Sequence, residues 1–222
     1  MKKSLCLSIT LILFFVQQGQ GQKIRTLFYD DILFGKVKQV VALNYLPGTM
    51  VVELTDTTWY DEKGNTVENH RKTMHGTLFK EKYIRTYDAA GEKMEIIGNE
   101  NDQNLGGKFD AKGNLVEYYS YFKNGSLNFK SIYQYDERNN LTTYQYLDNN
   151  NRVKQKRTYK YDNDDKLISL DNFGQNGNLE YHVEYEYSGL DKAGNWTKRI
   201  GHSKLQTGKF ESRTILRQIT YY

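Results

Sequence analysis

One short turn-forming pattern recurs from residue 60 to residue 194 of this 222-residue chain, and it limits the fold more than any other feature. It reads Tyr60-Asp61-Glu62-Lys63-Gly64, Tyr87-Asp88-Ala89-Ala90-Gly91, Phe109-Asp110-Ala111-Lys112-Gly113, Tyr135-Asp136-Glu137-Arg138-Asn139 and Tyr161-Asp162-Asn163-Asp164-Asp165. A last copy, Asp191-Lys192-Ala193-Gly194, lacks the aromatic. Aspartate at the first turn position accepts hydrogen bonds from the backbone ahead of it, and the fourth position demands a residue that tolerates positive φ. Glycine fills that place in four copies, Asn139 and Asp165 in the other two. Asn and Asp are the residues a left-handed backbone tolerates best after glycine. The pattern therefore predicts hairpin turns with a bulge-type glycine.

Turns of a second kind lie between these. Lys123-Asn124-Gly125-Ser126 and Gln175-Asn176-Gly177-Asn178 read as Asn-Gly hairpins, with Asp148-Asn149-Asn150-Asn151 as a polar equivalent. An aliphatic residue follows each turn, at Leu115, Leu127, Leu141, Val153, Leu167 and Leu179, in alternating steps of 12 and 14. Two hairpins thus make a unit of 26, which is also the spacing of Asp110, Asp136 and Asp162. Such regularity predicts a repeat architecture. Within the units Tyr133-Gln134-Tyr135, Tyr144-Gln145-Tyr146, Tyr159-Lys160-Tyr161 and Tyr185-Glu186-Tyr187 alternate aromatic and polar residues, the period of a strand with two unlike faces. Aliphatic residues are scarce, so tyrosine ladders are expected to replace much of an ordinary core.

The flanks repeat less. Residues 36–44 and 49–55 read as strands joined through Leu46-Pro47-Gly48-Thr49, with proline and glycine placed for a type II turn. Alternation at Ile215, Arg217, Ile219 and Tyr221 predicts a closing C-terminal strand. Pro47 is the only proline and no linker interrupts residues 22–222, so one domain is expected. The expected fold is all-β, a repetitive antiparallel hairpin sheet, twisted or curling, and open rather than closed.

The Tyr-Asp-x-x-Gly turns, each followed by an aliphatic residue and an aromatic strand, resemble the YD repeats of bacterial RHS-type wall and secreted proteins over about residues 58–200. The resemblance implies a curling sheet that encloses or displays other elements. This chain departs from it at Asn139 and Asp165, in the residues after the turn glycine, and in having six copies, too few for a closed shell. It implies no catalytic set.

Residues 1–21 read as a secretory signal: Lys2 and Lys3, an apolar stretch from Leu5 to Val16, then small residues at Gly19 and Gly21. The stretch is too short to span a bilayer, which takes about 20 residues. Cys6, the only cysteine, precedes most of it, so lipid attachment and disulfides are not expected in the mature chain. Charges are interspersed and the formal net charge is only +4, which gives no strong electrostatic case for nucleic acid or an anionic membrane, and no stable membrane insertion is expected.

Candidate chemistry is sparse. His70 and His75 are five apart and His182 and His202 isolated, while zinc needs three or four converging ligands. The runs at Asp148 and Asp162 invite a calcium reading but lack the glycine and terminal glutamate of an EF-hand loop. No serine sits in a nucleophile elbow and no Gly-rich phosphate loop is present. No catalytic, cofactor-binding or metal-binding residue is therefore assigned. The expectation is a non-enzymatic, exported interaction or surface-display protein whose partner is a protein or glycan of the cell envelope. The alternative is a glycan-binding module using exposed tyrosine rows.

Overall fold

The computed structural model describes residues 23–25, 32–88, 91–97 and 103–222, with side chains for 32–84 and 105–222. The expected signal peptide lies outside these residues, as do Ala89 and Ala90 of the second turn. The described residues form strands and turns and no helix. A two-stranded ribbon pairs β1 (Lys23–Arg25) with β2 (Ile32–Phe34). The large sheet then runs β3 (Val37–Tyr45), β4 (Val52–Tyr60), β5 (Thr66–Thr73), β6 (Leu78–Asp88), β7 (Gly91–Ile97), β8 (Gln103–Phe109) and β9 (Leu115–Phe122). It continues through β10 (Leu127–Tyr135), β11 (Leu141–Asp148), β12 (Val153–Tyr161), β13 (Leu167–Gly174), β14 (Leu179–Leu190), β15 (Trp196–Leu205) and β16 (Phe210–Tyr221).

Each strand from β3 to β16 pairs antiparallel with the next in sequence, so the repetitive antiparallel hairpin sheet expected from the repeat is the observed fold. The expectation of an open sheet needs correcting. The C-terminal strand β16 pairs with β3 from Ile215 opposite Asn44 to Tyr221 opposite Val37, and the order of neighbours returns on itself as a barrel. Closure removes two rows of unpaired backbone groups that an open sheet would expose. It depends on a contact between the two ends of the domain, which no local pattern encodes.

The turns explain why the chain reverses where it does. In the third copy Gly113 N donates to Asp110 O at 3.0 Å and Asp110 N to Asn114 O at 2.9 Å, a turn followed by a bulge with Gly113 at φ 80°. Asn139 and Asp165 occupy the same left-handed position at 65° and 61°, as their place in the pattern predicts. Leu46 to Thr49 forms the expected proline-glycine turn, with Thr49 N donating to Leu46 O and Gly48 at φ 68°. The Asn-Gly turns differ from expectation. Gly125 is at positive φ while Asn124 is not, and Gly125 N donates to Phe122 O. Both sets of turns are thus one geometry, repeated at alternate ends of the barrel.

Alternation assigns the faces. One inward row passes through Tyr133, Tyr144, Arg157, Asn172 and Tyr181, and another through Tyr159, Leu170, Val183 and Ser203. Tyr133, Tyr159, Leu170 and Val183 are all buried. The Tyr133 and Tyr144 rings lie 5.4 Å apart at 57°, a geometry that adds about 0.5–1.5 kcal/mol beyond area burial. Tyr185 packs over Gly201, where a Cβ would meet its ring at 3.1 Å. Tyrosine does replace much of an aliphatic core.

Candidate functional site

Up-and-down connectivity puts the Asp turns (residues 61–65, 110–114, 136–140, 162–166 and 191–195) at one end of the barrel and the other hairpins at the opposite end. At the Asp-turn end, each aspartate organises its own loop. Asp110 Oδ1 accepts from Lys112 N and Asn114 N, both at 2.9 Å, and Asn114 Nδ2 donates to Oδ2 at 2.9 Å. Asp61 with Lys63 and Asn65 repeats this at 2.8–3.0 Å.

The asparagine after the bulge also links one turn to the next. Asn114 Nδ2 donates to Asn139 Oδ1 at 3.3 Å, and Asn140 Nδ2 donates to Asp165 Oδ1 at 2.8 Å. Arg138 adds an ion pair to Asp165 at 3.1 Å and hydrogen bonds to the Asp162 and Asn163 carbonyls. Asn139 and Asp165 are therefore more than tolerated replacements for glycine, because their side chains accept from the preceding turn. Sequence reasoning missed this role. The signal was the asparagine directly after the turn at 65, 114, 140 and 195.

The sixth turn seals this end. Asn195, almost fully buried, accepts from Phe34 N at 2.8 Å and donates to Phe34 O at 2.9 Å and to the Tyr221 hydroxyl at 2.7 Å. That clamp seats β2 so that Leu33, wholly buried, packs with Val37, Val40 and Tyr60. Tyr221 donates to Asp191, and burial pushes its phenol up to about 12.

Beside Leu33 the interior is polar. Asp56 is 2% exposed and accepts from Asn69 Nδ2 at 2.6 Å and Thr58 Oγ1 at 3.3 Å. Trp196 lies between two guanidinium groups, Arg217 at 3.3 Å and Arg199 at 4.9 Å from a ring centroid, and Arg217 also donates to the Trp196 carbonyl. The cavity they line with Tyr60 and Ile215 is about 30 Å³. That holds a water or two and nothing larger. In the other cluster, burial raises the phenol pKa values of Tyr83 and Tyr118, helped at Tyr83 by the Glu81 carboxylate to which it donates.

The outer wall carries a polar row. A row through Lys160, Ser169, Glu184, His202 and Ser212 crosses five strands without an apolar side chain. Glu117 pairs there with Lys108 at 2.9 Å. The histidines do not converge: His70 bonds Glu68, His182 bonds Asp171, His202 contacts Ser212, and His75 sits in an exposed turn. Among the described residues no three metal-ligating side chains gather. The Asp148 and Asp162 carboxylates, candidates for calcium, accept from their own turn amides. At Asp148 the Arg152 amide holds the carboxyl below its usual value.

The opposite end exposes more apolar surface on its hairpins than the Asp-turn end. Leu115, Leu141 and Leu167, which follow Asp turns, are buried, whereas Val153 and Leu179, which follow the other hairpins, are exposed. Met50, Val51, Met74, Leu78, Phe79 and Phe210 are exposed around three neighbouring hairpins there, beside an open cleft of about 380 Å³ between Leu54, Thr73 and Arg213.

No protein-family model matches the chain, and no curated protein does. Among solved structures, a porin-like protein from Bacteroides uniformis aligns with 83% of this chain and 98% of its own, at 11% identity and a TM-score of 0.52. That likeness is one of fold. A TcdB2–TccC3–Cdc42 assembly aligns over 83% of this chain and 10% of its own at 19% identity and TM-score 0.37. A LolA superfamily protein from Nitrosomonas europaea aligns over 87% and 90% at 11% identity and TM-score 0.35.

Proposed function

We propose that the chain is a non-enzymatic, exported interaction or surface-display protein, a YD-type hairpin barrel that meets its envelope partner through its ends. The observation that carries this reading is the inward placement of the tyrosines. Tyr133 and Tyr159 are buried, and the space beside Trp196 is about 30 Å³, so these rings serve as core and the rims are the surfaces offered to a partner. The recurrent Tyr-Asp turns with their ordered aspartates favour the YD-type reading.

The porin-like name of the Bacteroides uniformis structure is compatible with an envelope setting. The wall argues against a lipid-facing pore. Transmembrane barrels carry an apolar outer band, and a mid-plane lysine or arginine on that face costs about 2–4 kcal/mol. Lys160, Glu184 and His202 lie in one outward row. A glycan platform built on tyrosine rows loses support, because those rows face inward. The test is a pull-down from envelope extract with the mature chain as bait. One dominant, saturable partner is expected. Retention of no component above a scrambled-bait control would refute the reading.

A further inference from the structure

We infer that the barrel end opposite the Asp turns docks on an anionic bilayer surface as a peripheral contact, leaving the Asp-turn end free. This rests on the reading that the rims are the working surfaces, and it names the partner of one of them. Three hairpins adjacent around the barrel, between β15 and β16, β3 and β4, and β5 and β6, form a continuous arc. Their turns carry Met50 at 82% exposure and Met74 at 48%, and the strands that leave them begin with Phe210 at 71% and Leu78-Phe79, Phe79 at 47%. Exposed apolar residues gathered at hairpin turns and the adjoining strand ends suit shallow insertion into a headgroup layer and do not suit spanning.

Charge decides which surface. Residues 46–53, 72–80 and 204–213 contain Lys72, Lys80, Lys204, Lys209 and Arg213 against Glu53 and Glu211. Each glutamate is already paired, Glu53 with Arg213 and Glu211 with Lys209. Five cations against two partnered anions complement an anionic leaflet. The Asp-turn end is the reverse. Its turns at 61–65, 110–114, 136–140, 162–166 and 191–195 hold nine acidic residues against five basic ones, and the exposed large apolar residues beside them, Val67, Ile168, Leu190 and Tyr222, are scattered rather than gathered on adjacent hairpin turns. Like charge would push that end away from the same surface. The molecule is polar along its axis, with an apolar, basic rim and an acidic, ordered one.

Flotation of the mature chain with phosphatidylglycerol-containing vesicles, and with pure phosphatidylcholine, tests this. Binding to the anionic vesicles is expected, weakening as salt screens the charges. A triple variant, Met50→Ser, Met74→Ser and Phe210→Ser, alters exposed side chains only and should melt like the wild type while binding at least about tenfold more weakly. Lys204→Glu with Lys209→Glu should weaken binding to anionic vesicles selectively, and Leu190→Ser should leave it unchanged. Absence of vesicle binding, or equal binding by the triple variant, overturns the proposal. So does a soluble dimer that the triple variant disperses, which would assign the arc to a second copy. A pull-down partner retained by the triple variant while vesicles fail would remove this inference and leave the broader reading standing. Vesicle binding without any pull-down partner would do the opposite.

Discussion

The link between the fourth and fifth Asp turns makes the most demanding test of how this barrel is held. Asn140 is wholly buried, and its Nδ2 donates to Asp165 Oδ1 at 2.8 Å and to Asp136 Oδ2 at 3.3 Å. Hydrogen bonds to charged groups contribute about 1.5–3 kcal/mol each, and the longer of these two counts for less. Asn140→Ala should therefore cost about 2–4 kcal/mol. Asp165→Gly removes the same acceptor and an ion pair with the half-exposed Arg138, whose worth is about 1 kcal/mol. It also places glycine at φ 61°, which recovers up to about 1 kcal/mol of backbone strain. Its net cost should be smaller, about 1–2 kcal/mol. The double variant should show a coupling of about 1–2 kcal/mol, because the second change removes a bond the first has already broken. Urea unfolding of the four proteins measures all three quantities. A coupling below about 0.5 kcal/mol would refute the turn-to-turn ladder and reduce Asp165 to a substitute for glycine.

Other consequences can be checked with the same protein. Tyr133→Ala and Tyr159→Ala delete buried inward rings and should each cost about 3–5 kcal/mol, while Tyr121→Ser, on an exposed hairpin, should stay within about 0.5 kcal/mol of wild type. Tyr135→Phe loses only the hydroxyl that donates to the Leu115 carbonyl at 2.7 Å and should cost about 1 kcal/mol by urea unfolding. The Tyr221 phenol is raised from 10.0 to about 12 by burial and by Asp191, so its contribution to stability is fully present below pH 10 and is lost as the pH climbs to about 12. Tyrosine titration at 295 nm with parallel melting curves should show this loss, and Tyr221→Phe should flatten it. Deleting residues 137–162 removes one 26-residue unit in phase and should leave a folded β protein of lower stability, whereas an out-of-phase deletion of about 20 residues should abolish the cooperative transition.

The sequence by itself determined the units of this protein. Turn positions, the left-handed places at Asn139 and Asp165, the 26-residue period and the alternation that turns Tyr133 and Tyr159 to one face are all local properties. They follow from steric limits on φ and from the two-residue period of a strand, which act within a few residues. Tertiary structure decided three things those rules do not reach. Closure depends on Ile215, Arg217 and Ile219 meeting Asn44, Ala42 and Val40 across the whole domain, although the closing strand itself was legible. The turn-to-turn ladder depends on neighbours 25 residues apart being brought within 2.8–3.3 Å. The sorting of buried Leu115 and Leu141 from exposed Val153 and Leu179 has the same origin. All four are the aliphatic residue that follows a turn; the local pattern tells the two kinds of turn apart but not which of them lies against a core. They differ because Leu115 and Leu141 pack into the cluster built on Tyr133 and Tyr159, which Val153 and Leu179 do not join.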